Sequence, residues 1–275
     1  MGLREWFAGL RGRVIVPALR LNGVIGTVGV GDRGLSLMRL ERQIDALFAS
    51  KKAPAAVLLI NSPGGSAAQS ALIAQRIRAL AEEKKRPVLA FCEDVAASGG
   101  YWLACAADEI FADPASIVGS IGVVSAGFGF TDAIARIGIE RRVHTAGRRK
   151  ALLDPFRPER EEDLVLLKEI QGEIHGMFKD WVRQRRGDRL GNDPDLFEGR
   201  VWSGARGKEL GLVDGLGDPR TVIRARFGPK ARIVTVNPAR TSLLRRLRGG
   251  VEAGHMVGEA VALLEERAHW QRFGL

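Results

Sequence analysis

Two kinds of apolar pattern alternate along this chain. Leu37, Leu40, Ile44, Leu47 and Phe48 recur at helical spacing and read as the buried stripe of an amphipathic helix. Ala55 to Ile60 and Val88 to Cys92 are instead short, unbroken apolar runs. Such runs read as strands covered on both faces, as in a parallel sheet between helices. Between them, Ile73, Ile77 and Leu80 mark a second helix ending near Glu83, and Pro87 prevents its continuation. After Cys92 comes an Ala-rich helix over about residues 99–107, then a short strand at Glu109 to Ala112.

The rest of the pattern is more broken. Val14 to Gly26 reads as two short strands around a turn. Ile117 to Val124 is β-rich but punctuated by Gly119 and Gly122, which suggests backbone approaching something closely. A helix near Thr131 to Ile137 and a strand around Glu140 to His144 lead into a basic loop, Gly147 to Lys150. The longest helix spans about Pro158 to Arg186, with Leu164, Leu167, Ile170, Ile174, Phe178 and Trp181 as its stripe. A turn at Val201 to Gly204, a short helix to Leu210 and a strand at Arg232 to Val236 follow. These elements predict an α/β fold with a mostly parallel sheet and helices outside. They divide the chain into a main domain, 1–236, and a helical arm, 237–275. Residues 1–13 form a candidate basic amphipathic segment.

Composition narrows the picture modestly. The chain has 275 residues, 45% of them hydrophobic, enough for a sizeable core. Its net charge of +10 suits an acidic partner or an anionic membrane surface. No basic run carries interleaved aromatics, so nucleic acid is not expected. The two cysteines, Cys92 and Cys105, lie in apolar surroundings and read as buried free thiols, with no disulfide framework and no zinc spacing. That fits a reducing, cytoplasmic setting, with peripheral contact at the inner face of the membrane left open. No apolar run approaches the roughly 18 residues of a spanning helix. No metal or cofactor is expected.

Candidate chemistry sits in two glycine-bearing turns, each directly after an apolar strand. The first is Asn61-Ser62-Pro63-Gly64-Gly65-Ser66 and the second is Ser98-Gly99-Gly100. Ser98 reads either as a helix N-cap or as a nucleophile lifted clear of the sheet. Gly99, with Gly65 or Gly64, offers N–H groups that could converge on one oxyanion. None of His144, His175, His255 and His269 has an evident orienting carboxylate. A lysine can serve as base if it is dry or close to other cations. Lys150 follows Arg148 and Arg149 and precedes Ala151-Leu152-Leu153, so it is a candidate base or simply part of an exposed basic loop.

The motifs Asn61-Ser62-Pro63-Gly64-Gly65, Ser98-Gly99-Gly100-Tyr101-Trp102, Gly119-Ser120-Ile121-Gly122, and Gly147, Lys150 and Pro155-Phe156 occur in this order. On these the chain resembles the signal peptide peptidase A / SohB-type serine peptidases of the Clp protease/crotonase fold superfamily. The resemblance runs from about Val24 to Leu216. It implies repeated β-β-α units, Ser98 as nucleophile, Lys150 as general base, Ser120 steadying the lysine amine, and Gly99 with Gly65 or Gly64 as oxyanion donors. It also implies cleavage of apolar peptides such as signal-peptide remnants through an acyl-enzyme. The homo-oligomer it implies has active sites completed between protomers. Two features depart from the family's common pattern: Arg149 stands where an aromatic residue often precedes the lysine, and no N-terminal membrane anchor is seen. Two other readings remain: an acyl-CoA enzyme using the same glycine turns, and a non-catalytic scaffold or membrane-interaction protein.

Overall fold

The computed structural model describes residues 14–26, 34–147, 149–236, 267 and 270–274. The candidate segment 1–13 and nearly all of the arm 237–275 lie outside the described residues. Strand β1 (Ile15–Asn22) is followed by helix α1 (Leu37–Ala49), strand β2 (Ala56–Ser62) and helix α2 (Ala67–Glu83). Strand β3 (Val88–Ala97), helix α3 (Gly99–Ala104), and strands β4 (Glu109–Ala112) and β5 (Ile117–Gly119) come next. Helices α4 (Thr131–Arg136) and α5 (Glu161–Arg186) precede strand β6 (Val201–Ser203) and helix α6 (Gly204–Glu209). Strand β7 (Gly215–Leu216), helix α7 (Pro219–Phe227) and strand β8 (Arg232–Thr235) complete the order.

One eight-stranded sheet runs β6-β5-β3-β2-β1-β8, with β4 branching from β3 and β7 pairing with β4. Among the described residues only the β5–β6 pair is antiparallel. The unbroken apolar strands serve two cores at once. Leu58 and Ile60 face the larger core with α1, α2 and α3, whereas Val57 and Leu59 face a smaller one with Ile223 of α7. Side chains of alternating direction are thus buried on both faces, which is why these strands show no polar alternation.

Strand β3 is the branch point. Its first half, Leu89 to Cys92, pairs with β4, and its last three residues, Val95 to Ala97, pair with β5. The apolar run ends at Cys92, yet the strand continues through Glu93 and Asp94. Those two side chains are held by partners: Glu93 by Arg20, and Asp94 by Asn61 at 2.7 Å. Asn61 also accepts from the Val95 N–H at 3.2 Å. A polar interruption therefore marks the fork rather than the strand's end.

Other expectations are revised. Residues 14–26 contain a single strand, because Ile25 makes only isolated bridges, to Leu35 and Gly65. Only Ile117–Gly119 of the β-rich run 117–124 is a strand. Residues 140–144 form no strand and are mostly exposed, since no partner strand lies beside them and β preference depends on such pairing. The long helix begins at Glu161, after Pro158 rather than at it. Strand β7 and helix α7 are additional elements. Cys92 and Cys105 are free and buried, and burial pushes both thiols up to about 12.

The last turn of α5 is fastened by a buried cation. Arg186, 1% exposed, donates through Nε and Nη2 to the Gly211 carbonyl and through Nη1 and Nη2 to the Asp214 carboxylate. Asp214 in turn accepts from the Ile110 N–H at 2.7 Å, so one carboxylate joins α5, β4 and the loop before β7. Burial alone would raise the Asp214 carboxyl, but the Arg186 and Ile110 donors outweigh it and hold the group below its usual range. Asp214→Asn leaves the Arg186 charge without its counter-ion and is expected to cost about 3 kcal/mol at neutral pH. A carboxyl depressed by folding contributes above its ordinary value near ~4 and loses that contribution as pH falls through the folded value. The stability gap between wild type and Asp214→Asn, measured by urea unfolding, should therefore narrow as pH falls below about 4.

Candidate active site

Two strand-to-helix turns meet at the C-terminal ends of β2 and β3. A Cβ built on Gly64 would stand 2.8 Å from the Ser98 Cβ and 2.9 Å from the Gly99 nitrogen. One built on Gly100 would stand 2.4 Å from the Ser62 carbonyl oxygen, and one on Gly99 2.4 Å from Ser70 Oγ. The glycines are what let the two turns touch. Gly64 and Gly65 also adopt φ of +103° and +138°, values that L side chains rarely adopt.

The two turns divide their backbone groups. The Gly64 N–H is already donated to Ser62 Oγ at 3.2 Å, and the Gly64 carbonyl accepts from the Ile25 N–H. The N–H groups of Gly65 and Gly99 have no acceptor among the described residues, and both glycines line the same cavity as Ser98. Ser66 caps α2 by accepting from the Gln69 N–H.

Ser98 occupies the N-cap position of α3, but its side chain makes no capping hydrogen bond. Its backbone sits at φ 53°, ψ −122°, a strained conformation for a residue with a side chain. The strain has a structural origin. Parallel pairing of β3 with β5 sets Ala97 beside Gly119, and the Ser98 N–H donates to the Gly119 carbonyl at 2.8 Å. One step further along the same register lies Ser120, also at positive φ, 52°. Both serines line the cavity. Sheet register thus brings together two serines 22 positions apart in sequence.

The cavity has a volume of about 740 Å³. Ile25, Val123, Val124, Ile174, Trp102 and Phe178 supply its apolar lining, with Phe178 stacked on Trp102 at 4.6 Å between ring centroids. Ile174 and Phe178 belong to the α5 stripe that the sequence marks as core, and here part of that stripe forms a cleft wall. His175 also lines the cleft, with Nε2 3.2 Å from the Ile121 carbonyl. Sequence reasoning set His175 aside for want of a carboxylate, and missed Glu198, which also borders the cavity. Arg272 and Phe273 border it too.

Lys150 is not among these residues. It is exposed, in a turn after Gly147, on a segment whose side chains are mostly exposed. That segment is clasped at its base: the Phe130 N–H donates to the Pro155 carbonyl, and Phe130 stacks on Phe156 at 5.6 Å. Among the described residues no group of His, Cys, Asp and Glu side chains is arranged to hold a metal ion.

The fold is a mostly parallel α/β sheet with a strained serine at the second of two touching glycine turns. Residues 80–226 match the model of Peptidase family S49, and the chain belongs to that family. A protein of Brucella abortus named as a Na(+)/H(+) antiporter NhaA is 49% identical over 94% of this chain, which spans 37% of that relative's length. The chloroplastic serine protease SPPA of Arabidopsis thaliana is 34% identical over 78% of this chain, which spans 32% of that relative. A putative protease of Synechocystis is 29% identical over 92% of this chain and 90% of its own length. Among solved structures, a mutant membrane-bound stomatin-specific protease in complex with a substrate peptide superposes with a TM-score of 0.52. It shares 15% identity and covers 86% of this chain and 98% of its own. At that identity the likeness is one of fold. No helix among the described residues is long and apolar enough to cross a membrane.

The strain at Ser98 is testable without any substrate. Ser98→Gly should raise the unfolding midpoint by about 3 °C, because glycine accepts this φ at little cost. Ser98→Ala keeps the Cβ and should leave the midpoint within about 1 °C of wild type. Differential scanning calorimetry of both variants checks the contrast.

Proposed function

We propose that this protein is a serine endopeptidase that cleaves apolar peptides with Ser98 as nucleophile and Lys150 as general base. The observation that carries the reading is the Ser98 hydroxyl, free of any capping bond, in a cleft that also holds the open Gly65 and Gly99 N–H groups. In the proposed reaction Lys150 Nζ takes the Ser98 proton while Oγ attacks the peptide carbonyl carbon. The carbonyl oxygen becomes an oxyanion held by the Gly65 and Gly99 N–H groups. Gly64 takes the packing role, since its own N–H is donated to Ser62. Protonated Lys150 then gives its proton to the leaving amine, and an acyl-ester remains on Ser98. Water, deprotonated by Lys150, attacks that ester; the acyl–Oγ bond breaks, the peptide acid leaves, and Lys150 returns the proton to Ser98 Oγ. Ser120 would accept or donate a hydrogen bond at the lysine amine and hold it toward Ser98.

The apolar lining supports a preference for peptides with large aliphatic or aromatic side chains. Signal-peptide remnants have that chemistry. The SPPA relative is itself named a serine protease.

Lys150 would reach Ser98 from a neighbouring copy. Two observations support this: Lys150 lies outside the cleft, and its segment exposes apolar side chains that a lone chain leaves in water. Phe128 is 81% exposed, Ile137 70% and Ile139 56%. Large apolar side chains exposed on one segment support a contact with another chain. Head-to-tail contacts of this kind close into rings, with one serine and one lysine meeting at each boundary.

The arrangement predicts a complementation result. Ser98→Ala and Lys150→Ala should each lower kcat/KM on a leucine-rich peptide by at least about 10³-fold. Unfolded together and reassembled in equal amounts, they should recover about a quarter of wild-type activity, because that share of boundaries pairs an intact serine with an intact lysine. A dyad formed within one chain would recover none.

A further inference from the structure

At the other end of α2 lies a second cavity, of about 430 Å³, between the C-terminal ends of α1 and α2. Ser66 begins α2 at the Ser98 cleft, and Lys84, the residue that closes α2, lines this one. A helix of 17 residues separates them, about 25 Å at 1.5 Å per residue. The cavity is therefore remote from the proposed chemistry.

Its notable member is Arg86. The residue is 8% exposed, yet its guanidinium makes one long hydrogen bond, from Nη1 to the Phe48 carbonyl at 3.5 Å. A guanidinium carries five donors, so most of this group faces the cavity without a protein partner. Its Nε and Nη2 stay open to solvent through the cavity, so those donors are free to meet a ligand. The neighbouring charges are already taken up. Asp45 is engaged by Arg76 at 2.7 Å, and Lys84 is engaged by Glu83 at 2.7 Å. Lys51, at the cavity's exposed edge, adds a further positive charge. The two helix C-termini contribute about half a negative charge each. That offsets about one of the two cations, Arg86 and Lys51, and leaves the cavity positive.

We infer that this cavity binds a phosphate-type oxyanion, with Arg86 as its buried fork and Lys51 as its outer clamp. A planar guanidinium matches two oxygens of such a group at once. Phe48 and Leu80 border the remaining space and would receive an apolar substituent on the phosphate. The same chemistry belongs to a soluble phosphate ester and to a phospholipid headgroup.

The test uses the full chain and inorganic phosphate, titrated against sodium chloride at matched ionic strength. Wild type should show a saturable rise in unfolding midpoint, about 3 °C at ten times the dissociation constant. ³¹P line broadening at 25 °C reads the same binding without heating. Arg86→Gln should weaken phosphate binding at least about tenfold and Lys51→Gln about threefold. Lys230→Gln, which removes an exposed lysine elsewhere, should leave it unchanged. Lys51 is exposed, so its variant keeps the test valid should Arg86→Gln fold poorly. No phosphate response beyond chloride, or equal weakening in Lys51→Gln and Lys230→Gln, overturns the site. If the site holds, flotation with phosphatidylcholine vesicles containing phosphatidic acid separates the two sources. Retention lost in Lys51→Gln assigns a headgroup, and phosphate binding without retention assigns a soluble ester.

Discussion

The contact on which the site depends is the approach of Gly64 to Ser98. Two strand-to-helix turns from neighbouring strands are pressed together until a single added Cβ would overlap at 2.8 Å. The approach serves both turns. It leaves the Gly65 and Gly99 N–H groups on one cavity, while the Gly64 N–H and carbonyl are consumed in holding the turn against Ser62 and Ile25. The polar groups beside Ser98 thus divide into those that hold the turn and those left open to a ligand. A pre-formed arrangement of this sort costs little reorganisation when charge develops at the bound oxygen.

The sheet supplies the second half of the arrangement. β3 forks at Glu93 and Asp94, and its last residues change partner from β4 to β5. That exchange aligns Ser98 with Ser120, each at positive φ. Backbone strain at two adjacent register positions is maintained because the ladder bonds on either side over-determine it. Behind them, α5 closes the cleft with Ile174, His175 and Phe178, and is itself anchored by Arg186.

Much of this was legible in the sequence, for identifiable reasons. Strands covered on both faces announce themselves as unbroken apolar runs, so β2 and the first part of β3 were clear. The two glycine turns were visible as candidates because each directly follows such a run. What hydropathy could not show was the continuation of β3 through Glu93 and Asp94, because their partners, Arg20 and Asn61, are distant in sequence. Arg186 reads as a surface residue, although it falls eight positions after Phe178 and four after Val182, on the buried face of α5. The spacing held the signal and the charge hid it. Residues 140–144 misled in the opposite sense: β-prone residues form no strand where no neighbouring edge is available. Glu198 and His175 reach the cleft only through tertiary packing, which no local pattern encodes.

The central claim is that the Ser98 hydroxyl is a nucleophile and not a helix cap. The most direct measurement is reaction of the assembled protein with a fluorophosphonate, followed by intact mass and peptide mapping. One covalent adduct per chain, located on Ser98, is expected. An unmodified Ser98 under conditions where the assembly is intact would contradict it.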